Sequence, residues 1–109
     1  MIIDGQLSEA GEWYRNRDEW VRYVLGRDYL TADCQRVGIF IALHINRHDN
    51  QVRHQQTTIA KDLNLGVATV KRAIKALKDE ALIAVDTVQR GRNKRAVNRY
   101  RLIFAWEAG

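Results

Sequence analysis

Residues 59–83 read IAKDLNLGVATVKRAIKALKDEALI. Two helical patterns flank the NLG in this stretch. The first belongs to residues 56–63, QTTIAKDL, in which Ile59, Ala60 and Leu63 point inward. The second spans residues 67–80, where Val70, Ala73, Ile74 and Leu77 recur at the spacing of three and four that gathers them on one face. The other face of that helix carries Lys71, Arg72, Lys75 and Lys78. A short helix, a turn and a longer helix with a cationic outer face form the unit to which the rest of the chain must fit.

Toward the N-terminus, residues 32–47 predict a helix with Thr31 as N-cap. Its apolar residues Val37, Ile39, Phe40, Ile41, Leu43 and Ile45 wrap beyond one stripe, which predicts burial on more than one side. RHDNQ then supplies a loop. Residues 8–25 predict an amphipathic helix. Ser8 is its expected cap, Glu9 and Glu12 lie in the first turn, and Gly26 is the expected stop. Trp13, Trp20, Val21, Val24 and Leu25 form its apolar stripe, with Arg15, Asp18, Glu19 and Arg22 opposite. The two tryptophans either cap the helical core of the same subunit or pair with a second copy. Core packing is the commoner fate of such a stripe.

Toward the C-terminus the period changes from helical to alternating. In IAVDTV, Ile83, Val85 and Thr87 share one face; in NRYRLIF, Tyr100, Leu102 and Phe104 do. Two alternating runs joined by a basic loop with one glycine predict a β-hairpin. Its loop holds Arg90, Arg92, Lys94 and Arg95, followed on the second strand by Arg99 and Arg101, and no carboxylate lies between Asp86 and Glu107.

The chain of 109 residues suits one small domain, expected to span 1–109, and is 46% hydrophobic and 28% charged, an ordinary globular composition. No apolar run approaches membrane-span length, no secretory signal is visible at the N-terminus, and a lone Cys34 forms no internal disulfide; a cytoplasmic setting is expected. The net charge of +5 is unevenly placed: residues 61–101 hold eleven Lys or Arg against four Asp or Glu, whereas residues 1–60 hold seven against eight. With a pI near 9.7, this local excess is the electrostatic footprint of a nucleic-acid binder. A merely solvated basic face is the plainer reading.

The order helix, tight turn, helix, basic hairpin resembles the winged helix-turn-helix family of bacterial transcription regulators and of plasmid or phage replication proteins. The resemblance covers about 31–104 and rests on the stretch quoted above, the basic wing and NRYRL. It implies an α+β, mainly α, fold with an additional N-terminal helix and a C-terminal hairpin wing. It also implies that Ala60 is small where the two helices cross, that Asn64 takes a positive φ, that Leu65 plugs the turn into the core, and that Gly66 caps the second helix. Family members usually have Ser at that cap.

On this resemblance the second helix enters the major groove by its N-terminal end. Val67 and Ala68 then touch thymine methyls, Thr69 bonds a base or a phosphate, and Arg72 reads guanine with its fork. Lys71 and Lys75 contact base or backbone. Gln55, Gln56, Thr57 and Thr58 contact the backbone from the preceding helix. Arg92 and Arg95 insert into the minor groove, while Arg90, Lys94, Arg99 and Arg101 track phosphates. Engagement of about six phosphates predicts a loss of roughly three decades of affinity between about 50 and 200 mM salt.

Other readings are weaker. His44 and His48 lie four apart, with Asp49 and His54 following, but Cys34 completes no familiar zinc pattern, so no metal and no cofactor are expected. No phosphate loop or partnered nucleophile suggests an enzyme or a small-molecule ligand. A winged helix that binds only protein usually exposes an acidic or apolar second helix; here that face is cationic. The expected partner is therefore double-stranded DNA, with a homodimer possible and no membrane involved. The short tail before Gly109 favours a transcription regulator over a replication initiator.

Overall fold

The computed structural model describes residues 4–45, 55–88, 92 and 97–104, with side chains described for all of these but 4–10, 88 and 97. Its elements in order are α1 (Asp4–Leu25), α2 (Ala32–His44), α3 (Gln56–Leu63), α4 (Val67–Asp79), β1 (Ile83–Val88) and β2 (Val97–Leu102). The fold is α+β and mainly helical, with an antiparallel hairpin after the helix-turn-helix.

The N-terminal helix begins at Asp4, ahead of the expected start at Ser8. Nothing between them forbids a helix, since there is no proline. A Ser inside the helix costs only about half a kcal/mol relative to Ala, too little to force a start there. The helix stops as expected, with the Gly26 N–H donating to the carbonyls of Arg22 and Tyr23 at 3.0 and 3.2 Å.

Thr31 caps α2, its hydroxyl accepting from the Cys34 N–H at 3.1 Å. This helix ends at His44, short of the expected 47, because Ile45 takes an extended backbone (φ −74, ψ 140). Ile45 is nevertheless buried. An apolar pattern records burial, and both backbones bury this side chain.

α2 packs against α1, α3 and α4, which accounts for its broad apolar coverage. Leu43 departs from that pattern and is 61% exposed. The close approach of α1 and α4 to α2 depends on Gly38: a Cβ there would lie 3.3 Å from Trp20 Cη2 and 3.4 Å from Leu77 Cδ2. One apolar cluster unites Trp20 and Val24 of α1 with Val37 and Ile41 of α2, Ile59 of α3, Val70 and Leu77 of α4, and Ile83, Tyr100, Leu102 and Phe104. Trp20 thus joins the core of its own chain, and half-buried Trp13 packs against it.

Polar side chains of α2 close the ends of its neighbours. Gln35 Nε2 donates to the carbonyls of Val24, Leu25 and Arg27 at the end of α1, at 3.0, 3.3 and 3.2 Å. Arg36 Nη2 donates to the Leu63 carbonyl at the end of α3, at 2.7 Å. Both satisfy carbonyls that a helix leaves without internal partners.

The turn after α3 is a Schellman motif. Asn64 has φ 56 and ψ 47, its N–H bonding the carbonyls of Ala60 and Lys61. The Leu65 N–H reaches the Ala60 carbonyl at 2.8 Å. The end of α4 repeats this geometry at Ala81, with φ 59. Its N–H donates to Lys78, and the Leu82 N–H to Leu77, each at 2.9 Å. No Gly or Asn announces that second motif.

β1 and β2 pair with Ile83 opposite Leu102, Val85 opposite Tyr100 and Thr87 opposite Asn98. The inward apolar sets of the two strands therefore meet on one face, as their alternation predicts.

Candidate nucleic-acid interface

α4 is held by the burial of Val70, Ala73, Ile74 and Leu77. At 3.6 residues per turn, that face fixes the opposite one. Val67, Ala68, Lys71, Arg72 and Lys75 are exposed there, and Thr69 is half-buried at its edge. Gly66 caps the helix without a side-chain bond, in an extended backbone at φ −72 and ψ 150. A Cβ added there would meet only Thr69 Oγ1, at 3.9 Å, so the serine usual in the family would fit.

Two contacts engage the long cations of this face. Arg72 Nη2 donates to Thr69 Oγ1 at 3.3 Å, drawing the guanidinium toward the helix's N-terminal end. Lys75 Nζ pairs with Asp79 Oδ2 at 2.7 Å. That bond, together with the Asp79 charge, raises the Lys75 pKa. Asp79 was not among the residues expected on this cationic face, although a Lys and an Asp four residues apart signal this pair. Both side chains are solvated, so the pair adds little to stability. Arg72 also lines an open groove of about 360 Å³ between α4 and the Thr31–Cys34 end of α2.

At the start of α3, Gln55, Thr57 and Thr58 are exposed. The Thr57 hydroxyl donates to Gln55 Oε1 at 3.4 Å. Gln56 is placed differently from its neighbours: it is half-buried and lies beside the Tyr100 hydroxyl. Asn98 Nδ2 donates to that hydroxyl, at 3.5 Å, and Asn98 Oδ1 accepts from Thr87 at 3.3 Å. Burial raises the Tyr100 pKa, and the polar side chains of Asn98 and Gln56 partly oppose that rise.

On the hairpin, Arg92 is exposed in a turn, and Arg99 and Arg101 are half-buried on β2. The register sets Arg99 across from Asp86 and Arg101 across from Ala84. Arg90, Lys94 and Arg95 lie outside the described residues, as do His48, Asp49 and His54. His44 is stacked on Phe40 with centroids 4.0 Å apart, and its Nδ1 bonds the Phe40 carbonyl at 2.8 Å. Cys34 is buried, its thiol 3.7 Å from the Ala73 carbonyl, and burial raises its pKa. Among the described residues, no group of three or more His, Cys, Asp or Glu could hold a metal ion, and no helix is long and apolar enough to cross a membrane.

The family model of a helix-turn-helix domain matches residues 39–83, from within α2 through α3, the turn and α4 to the first residue of β1. The match and the hairpin that follows it support the winged helix-turn-helix DNA-binding family, as the resemblance implied. The matched segment includes the whole exposed face of α4 and omits α1 and β2. No curated protein matches the chain.

Proposed function

We propose that residues 1–109 form one winged-helix domain that binds double-stranded DNA sequence-specifically and regulates transcription in the cytoplasm. The observation that carries this reading is the exposed face of α4, where Val67, Ala68, Lys71, Arg72 and Lys75 stand clear of the core. A helix of this shape fits the major groove, with two small apolar side chains leading and cations behind them. Gln55, Thr57 and Thr58 hold the backbone beside it, and Arg92 and Arg95 enter the minor groove from the wing. Arg90, Lys94, Arg99 and Arg101 track phosphates. Gln56, half-buried beside the Tyr100 hydroxyl, is a lesser phosphate contact.

Selection from a random duplex library at fixed salt, followed by footprinting on the source replicon, tests the proposal. An enriched site overlapping a promoter is expected. Iterated sites at an origin would instead identify a replication initiator, and no enrichment at all would leave a protein-interaction module. A homodimer is also proposed, because Leu25, Tyr29 and Leu43 remain more than half exposed, at 56%, 52% and 61%. Light scattering on free and DNA-bound protein should give twice the monomer mass; a monomer in both states sinks the dimer.

A further inference from the structure

The hairpin is joined to α4 by Glu80, Ala81 and Leu82 alone. The direction of the wing relative to the major-groove helix is set at this joint. Ala81 holds the left-handed backbone, and the N–H groups of Ala81 and Leu82 turn back to close α4. The Leu82 carbonyl then accepts from both sides. The Ile103 N–H reaches it at 2.9 Å, extending the hairpin pairing beyond Leu102. Trp20 Nε1–H reaches it from α1, at 3.0 Å.

Trp20 is only 3% exposed, and it is gripped at its other end too. Its six-membered ring abuts Gly38, where even a Cβ would stand 3.3 Å from Cη2. The indole therefore spans from α2 to the joint. Swinging the hairpin away would strip a buried N–H of its acceptor, which is far more unfavourable than losing an exposed bond.

We propose that Trp20 is a positioning residue: through the Leu82 carbonyl, α1 fixes the angle between the wing and α4, so that both reach DNA in register. The proposal rests on the reading of α4 and the wing as two arms of one DNA-binding surface. It assigns a role to a helix that the matched domain omits. Tyr100, fully buried in the core cluster, anchors the hairpin on another side, so the loss of Trp20 should loosen the wing without detaching it.

Two replacements test it. Trp20→Phe removes the donor with part of the ring. Benzothienylalanine at position 20 keeps the bicyclic shape and puts sulfur in place of the N–H, which guards against misfolding. Without DNA, amide hydrogen exchange at Ile103 and along β2 should quicken by about tenfold, with α4 amides unchanged. With DNA, affinity should fall by about tenfold on A·T-rich flanks, and the salt slope should flatten by about one or two. The ranking of bases at the centre of the site should hold. Exchange that is unchanged, or faster uniformly along the chain, overturns the proposal. So does an equal loss on every duplex with an unchanged slope, which marks a merely structural tryptophan. If the wild type binds no duplex, the proposed function falls, and the exchange measurement alone decides the role of Trp20.

Discussion

Ala81 occupies a backbone conformation, φ 59, that L-residues with a Cβ adopt at a cost of about 1 kcal/mol or more. The neighbouring bonds of the Schellman motif keep it there. Ala81→Gly should therefore raise stability by about 1 kcal/mol, less the added freedom of glycine in the unfolded chain. Urea denaturation checks it; a clear fall in the midpoint would mean the left-handed backbone is not strained. Cys34 and Tyr100 carry a second residue-level consequence. Burial raises both pKa values, so the folded protein holds both groups neutral to higher pH than the unfolded chain does. The stability this confers is complete below the ordinary thiol and phenol values. It is lost as pH rises from those ordinary values through the higher folded ones, the thiol first and the phenol second. Cys34→Ala should remove the first stage of that alkaline decline and leave the second. Equal decline in both proteins as pH rises past the ordinary thiol value would contradict the assignment to Cys34.

For the elements, the question is how α4 divides its exposed face. Arg72 is the one long side chain bonded toward the N-terminal end of the helix, through Thr69. Lys75 is drawn the other way by Asp79. Arg72→Ala should therefore relax base preference, costing about 1–3 kcal/mol on the preferred site and little on others. Titrations on the preferred duplex and on single-base variants measure it. Uniform weakening on every sequence would reduce Arg72 to a phosphate contact. This face was legible in the sequence because helical periodicity fixes which side chains oppose the buried Val70, Ala73, Ile74 and Leu77. The approach of Gln56 to Tyr100 was not, since the two residues are far apart in sequence and meet only in the folded chain.

Across the described residues of the molecule, no charged side chain belongs to the core. Arg92 is exposed, and Arg95 belongs to the same basic run. Neutralising both should leave the melting temperature nearly unchanged, since exposed charges rarely matter to folding. The same change should weaken DNA binding and flatten the salt slope by about two if both meet phosphates. Minor-groove insertion would add a larger loss on A·T-rich than on G·C-rich flanks. Unchanged affinity on all duplexes would leave the wing an ordinary solvated loop.

The sequence by itself determined the order of elements, the cationic face of α4 and the shared inward face of the two strands. Each follows from a local period or a local capping residue, as with Thr31 on α2 or Asn64 after α3. Only the tertiary structure decided what lies between elements. Ala81 adopts a conformation with no local residue signal, because the hairpin must leave α4 in a set direction. The sequence favoured core packing for Trp20 and left a second copy as the alternative, until Gly38 and the Leu82 carbonyl were brought beside it. Ile45 stays buried outside a helix, where the apolar pattern alone continues one. In each case the deciding partner is distant along the chain, and a periodic pattern records that a side chain is buried without recording what buries it.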